Sequence, residues 1–110
     1  MEHRCMSAAM AVLGDKWNPF IIQSLERGAR RFCELQQTPA GTINPRTLSG
    51  RLQHLEDLLI ITKEVISHMP PHTEYALTQR GQELLPILEE MARWSERHGG
   101  ALDHERTRER

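Results

Sequence analysis

Apolar residues recur at helical spacing through the first half of the chain and alternate like a strand just past its middle. Ala8-Ala9-Met10-Ala11-Val12-Leu13 reads as a short helix that Ser7 can cap and Gly14 stops. Trp17, Phe20, Ile21, Ser24 and Leu25 fall on one face of a second helix, from about Lys16 to Arg27. Pro19 suits its first turn, where a missing N–H costs nothing, and Gly28 ends it. Arg31 to Gln37 is a short third helix with Phe32 and Leu35 inward, and Thr38-Pro39-Ala40-Gly41 is a turn by composition.

The clearest local signal follows. Asn44 is a good N-cap residue and Pro45 a good first helical residue. The helix they open carries Leu48, Leu52, Leu55 and Leu59 on one face, and Arg46, Thr47, Ser49, Gly50, Arg51, Gln53 and His54 on the other. After Leu58 the period changes. Ile60 to Ile66 is rich in β-branched residues, Met69-Pro70-Pro71-His72 is a turn no helix can cross, and Thr73 to Leu77 alternates. These make a β-hairpin. Thr78 then caps a last helix to about His98, with Leu84, Leu85, Leu88, Met91 and Trp94 apolar and a kink near Gln82 imposed by Pro86. Residues 1–98 form one domain, and 99–110 are expected to be a polar, frayed tail.

A helix pair joined by a turn and followed by a two-stranded ribbon is a winged helix-turn-helix, mainly α with a small β-hairpin wing. The chain's 110 residues, 38% hydrophobic, suffice for one modest core. Burying an apolar helix against a second copy is a common remedy for so small a domain. No run reaches the roughly 20 apolar residues of a membrane span, and the start lacks the apolar segment of a secretory signal, so the expected address is the cytoplasm, at the nucleoid. Two cysteines, Cys5 and Cys33, are too few for a disulfide scaffold.

A net charge of −1 argues mildly against nucleic-acid binding. Its distribution argues for it. Lys16 to His54 holds six lysines and arginines against two acids, a net +4, and Leu55 to Arg110 carries −4.

The helix opened by Asn44 has the two faces a recognition helix needs. Its leucines anchor it, and Ser49 and Gly50 keep the other side slim enough for a major groove. Arg46 and Arg51 can reach guanine edges or phosphates, Thr47 a thymine methyl, and Gln53 or His54 an edge or a backbone oxygen. Free N–H groups from Asn44 to Thr47 suit a phosphate. The bland alternative is an amphipathic helix with a solvated face, which the hairpin behind it and the basic stretch before it disfavour. The hairpin is either a wing gripping a minor groove through Lys63, His68 and His72, or a plain structural ribbon. Arg30 and Arg31 hold phosphates or merely begin a solvated helix. No glycine-rich phosphate loop, paired carboxylates or nucleophile triad points to an enzyme. His3 with Cys5, and His68 with His72, lack zinc spacing, so neither a metal nor a cofactor is expected.

Taken in order, several segments resemble the HxlR-type family of winged-helix regulators, relatives of the MarR group. They are Cys5, Gly14-Asp15-Lys16-Trp17, Phe20-Ile21-Ile22, Arg31-Phe32-Cys33-Glu34-Leu35, Ile43-Asn44-Pro45-Arg46-Thr47-Leu48, Arg51-Leu52, Leu55-Glu56, Pro71, Glu74-Tyr75-Ala76-Leu77-Thr78, Gly81, Leu84, Pro86-Ile87-Leu88 and Trp94. The resemblance implies a homodimer, joined through its N- and C-terminal helices, that binds double-stranded operator DNA and represses or activates nearby genes, with repression the favoured sign. It also implies that Cys5 can respond to oxidants or electrophiles, since a thiol at a helix start is readily ionised. The chain departs from the family in Met6, where proline is usual, in Cys33, expected here as a buried apolar thiol, and in Leu58-Leu59, where a glycine commonly closes the recognition helix. A winged-helix module that binds only proteins is the competing reading.

Overall fold

The structure, a computed structural model, describes residues 5–109, and the side chains of that span except 101 and 103–109. Its elements run α1 (Ser7–Leu13), α2 (Asn18–Ser24), β1 (Arg30–Arg31), α3 (Phe32–Leu35), β2 (Gln37–Thr38), β3 (Gly41–Thr42), α4 (Pro45–Asp57), β4 (Ile61–His68), β5 (Pro71–Leu77), α5 (Gln79–Gln82) and α6 (Leu85–Glu109). This is the mainly α, winged helix-turn-helix order that the sequence predicts.

The core is aliphatic and gathers where the helices meet the base of the hairpin. Ile21 and Ile22 of α2, with Leu25 at its end, close against Leu35, Ile43, the α4 leucines, Ile60, Ile61 and Tyr75. Leu48, Leu52 and Leu55 are buried to 1% exposure or less, as their spacing requires. Burial, and then the negative charge of Glu56, push the Tyr75 phenol above its ordinary 10.0, so it stays neutral.

Local chemistry moves several element ends. Ser7 does not cap α1. Met6 occupies that position without a side-chain bond, and Ser7 is the first helical residue. α2 begins at Asn18 because the Asp15 carboxylate accepts the backbone N–H groups of Trp17 at 2.7 Å and Asn18 at 3.2 Å. The expected turn at residues 38–41 is the tip of a two-residue hairpin, β2 against β3, with Gly41 at φ 123°. β1, too short to show a period in sequence, adds a third strand in the order β1-β5-β4, all antiparallel.

Leu59 is not on the buried face of α4. The helix ends at Asp57, and Leu59 is 59% exposed with φ 61°. It takes the left-handed conformation that glycine adopts without strain. Leucine costs about 1–2 kcal/mol more at such a position. The carbonyls of this helix end are gathered by the next segment. The Thr78 hydroxyl donates to Leu59 O at 2.6 Å, and Arg80 donates to Leu58 O at 3.1 Å.

Pro86 breaks the last helix rather than kinking it. Thr78 caps α5, its Oγ1 accepting from the Gly81 N–H at 3.1 Å. Proline has no N–H to return to Gln82, so α5 stops there and Pro86 sits in the first turn of α6. α6 then passes through Gly99-Gly100 to Glu109 instead of ending near His98. The helix-forming Ala101, Leu102, Glu105 and Arg106 outweigh the two glycines.

Candidate nucleic-acid interface

The first turn of α4 uses up most of its own backbone donors, so the free N–H groups expected from Asn44 to Thr47 are largely satisfied within the chain. Asn44 Oδ1 accepts from Arg46 N–H at 2.8 Å, Pro45 supplies no N–H, and no acid lies in the turn. Arg46, Thr47, Ser49, Gly50 and Gln53 are all exposed. A Cβ added at Gly50 would meet nothing within 4 Å, so this side of the helix is open. Gln53 donates to Asp57 Oδ1 at 3.0 Å.

The remaining α4 candidates face elsewhere. Arg51 Nη1 donates to Asp15 Oδ2 at 3.3 Å, and His54 Nε2 lies 3.4 Å from Ala11 O. Both look toward α1 and the turn after it. The two arginines of α4 therefore differ: Arg46 is exposed, and Arg51 is held by a carboxylate.

Arg30 and Arg31 form β1, opposite Tyr75 and Glu74 at the base of the ribbon. Arg30 pairs with Glu34 at 3.7 Å, and Arg31 reaches Pro71 O at 3.4 Å. On the ribbon, Lys63 and His68 are exposed, whereas His72 is half-buried and 2.8 Å from Glu74. The structure thus sets Arg46, Thr47, Ser49 and Gly50 on the open side of α4 and Lys63 and His68 along a separate ribbon. Sequence reasoning missed Asp15, whose contact with Arg51 spans 36 positions and leaves no local signature.

Cys5 is exposed ahead of α1. Its Sγ lies 3.1 Å from Ser7 Oγ and accepts from the Ser7 N–H at 3.4 Å. When the thiol ionises, the hydroxyl can turn and donate as well. These Ser7 bonds, the hydroxyl's first, hold the Cys5 thiol below its ordinary 9.0. Its expected neighbours His3 and Arg4 lie outside the described residues. Cys33 is exposed, not buried. α3 has four residues, and Phe32 and Leu35 take its inward positions. Among the described residues no group of three His, Cys, Asp or Glu could hold a metal, and no helix is long and apolar enough to cross a membrane.

A second surface is apolar. Ile87, Met91 and Trp94, spaced four and three along α6, are 44%, 45% and 49% exposed, so they lie outside this chain's own core. Met10 of α1 is likewise exposed.

The profile of the HxlR-like helix-turn-helix family matches residues 12–103. The chain belongs to that family. Among its HxlR-like relatives, the HTH-type transcriptional regulator YodB of Bacillus subtilis (strain 168) is 34% identical over 91 residues, 83% of this chain and 80% of YodB. BH0655 of Halalkalibacterium halodurans, an uncharacterized HTH-type transcriptional regulator, is 40% identical over 86 residues, 77% of this chain and 75% of its own. Among solved structures, the redox regulator HypR in its reduced form superposes with a TM-score of 0.81 at 31% identity, covering 90% of this chain and 97% of HypR. Diamide-treated YodB gives 0.70 at 33% identity, covering 87% and 96%. Membership of this HxlR-like family makes the chain a transcriptional regulator rather than an enzyme.

Proposed function

We propose that the chain acts as a homodimer on double-stranded operator DNA, with the start of α4 in the major groove, the β4–β5 wing on the neighbouring backbone, and Cys5 as a thiol whose oxidation changes binding. The observation that carries this is the division of α4. Three buried leucines fix it to the body, while Arg46, Thr47, Ser49 and Gly50 stay exposed at a capped end. The exposed apolar line Ile87, Met91 and Trp94, with Met10 beside the N-terminus, supports the dimer. The low-lying thiol of Cys5 supports sensing, as does likeness to a redox regulator and to a relative treated with diamide. On this reading the protein works in the cytoplasm, and its bound dimer excludes competing proteins from the site, so the expected sign is repression.

A protein-binding module is the second reading. It is favoured by the carboxylates that occupy Arg30, Arg51 and His72. Mobility shifts on DNA selected from random duplexes decide between them. Binding is expected at about 50 mM salt and to weaken steeply by about 200 mM. Diamide, which takes two electrons and two protons from a thiol pair to form a disulfide, is expected to abolish the shift in the wild type and spare Cys5→Ser. No shift at the lower salt would favour the protein-binding module. A Cys5→Ser variant that still responds would remove Cys5 as the sensor.

A further inference from the structure

The contact between Asp15 and Arg51 joins three parts of the fold through one carboxylate. Oδ1 accepts the N–H groups that begin α2, and Oδ2 takes the guanidinium from the middle of α4. Both side chains are 32% exposed, so water screens the pair only partly. One turn further along α4, His54 meets Ala11 O from the same side. The buried leucines set which side of α4 faces the body, and what is left to fix is the finer roll of the helix within that seat. A charge-assisted hydrogen bond is directional.

We propose that Asp15 is a positioning residue for DNA recognition: through Arg51 it sets the roll of α4, and with it the direction of Arg46, Thr47 and Ser49, while Arg51 touches no DNA. This rests on the DNA-binding reading above. It also ties the recognition helix to the joint that follows α1, the helix behind Cys5. The rival role for Arg51 is a phosphate contact that Asp15 merely occupies until DNA arrives. The two roles give opposite signs. Under the rival role, removing the Asp15 charge frees a cation and withdraws an anion from the phosphates, so binding tightens. Under the positioning role, binding weakens.

The test uses the full chain, a duplex selected by the wild type from random sequence, and an unrelated duplex of equal length. Asp15→Asn keeps an oxygen for the Trp17 and Asn18 N–H groups while removing the charge, and Arg51→Met keeps the apolar stem. Each variant, and the double variant, is expected to lose roughly five- to tenfold in affinity for the selected duplex, the double losing no more than either single. Affinity for the unrelated duplex and the slope of log affinity against log salt are expected to stay at wild-type values, and Arg51→Lys to recover most of the loss. Circular dichroism and melting confirm that each variant is folded. Tighter or unchanged binding by Asp15→Asn, additive losses, or a salt slope reduced by about one in Arg51→Met would overturn the proposal. Failure of the wild type to bind either duplex at low salt would instead overturn the DNA-binding reading and remove the proposal with it.

Discussion

Leu52→Ala is expected to lower the unfolding free energy by about 2–5 kcal/mol. Leu52 is 1% exposed and lies between Leu48 and Leu55, both at 0%, so its removal leaves a cavity at the centre of the anchoring seam. Part of the cost is the lost burial of the apolar groups beyond Cβ, and part is the void that stiff neighbours cannot fill. Ile21 and Ile22, also at 0%, belong to the same core and are β-branched, so they adapt poorly. Urea unfolding at fixed protein concentration measures the loss, with Gln53→Ala on the exposed face as a control expected within about 0.5 kcal/mol of wild type. A loss below about 1 kcal/mol for Leu52→Ala would mean that α4 is not seated by its leucines.

Gly81→Val is expected to cost about 3 kcal/mol or more, by overpacking rather than by a cavity. Gly81 is buried in α5, where an added Cβ would run into the carbonyl oxygen of Ile60 and approach Leu77 Cδ2 to 3.0 Å. The obstructing atom is backbone. That carbonyl also accepts the Thr78 N–H at 3.0 Å, so it cannot swing aside without breaking the bond that seats α5. The joint lies where α4 ends and the wing begins, and opening it would disturb both elements of the proposed interface. Thermal melting of the variant checks this. A melting point within a degree or two of wild type would show that α5 can lift away freely.

The helix α4 was legible from sequence because its signals are local. Asn44-Pro45 specifies a start, and a three-and-four leucine spacing specifies a buried side. The hairpin was legible from the change of period after Leu58 and the prolines at its tip. What escaped depends on distant partners or on competition. Arg30-Arg31 becomes a strand only because β5 offers it an edge, and two residues carry no alternation. Asp15 could be read as a turn residue, but nothing near it in the chain announces Arg51. The apolar spacing of Met91 and Trp94 fits a core or an interface alike, since the pattern records that a face is apolar and not which molecule covers it. Leu59 continues the leucine spacing yet lies outside, because the helix had already ended. Cys33 reads as a buried thiol by residue type and is exposed because Phe32 and Leu35 fill the inward positions of a four-residue helix.

Backbone amide chemical-shift mapping with an operator-type duplex tests most directly whether the open side of α4 is the surface that meets DNA. The account predicts that the shifts that move concentrate from Asn44 to Gly50, with a second group on the ribbon near Lys63 and His68, and that the leucine-bearing side changes little. Movement confined to the apolar line of Ile87, Met91 and Trp94, with Asn44 to Gly50 unaffected by DNA, would contradict it.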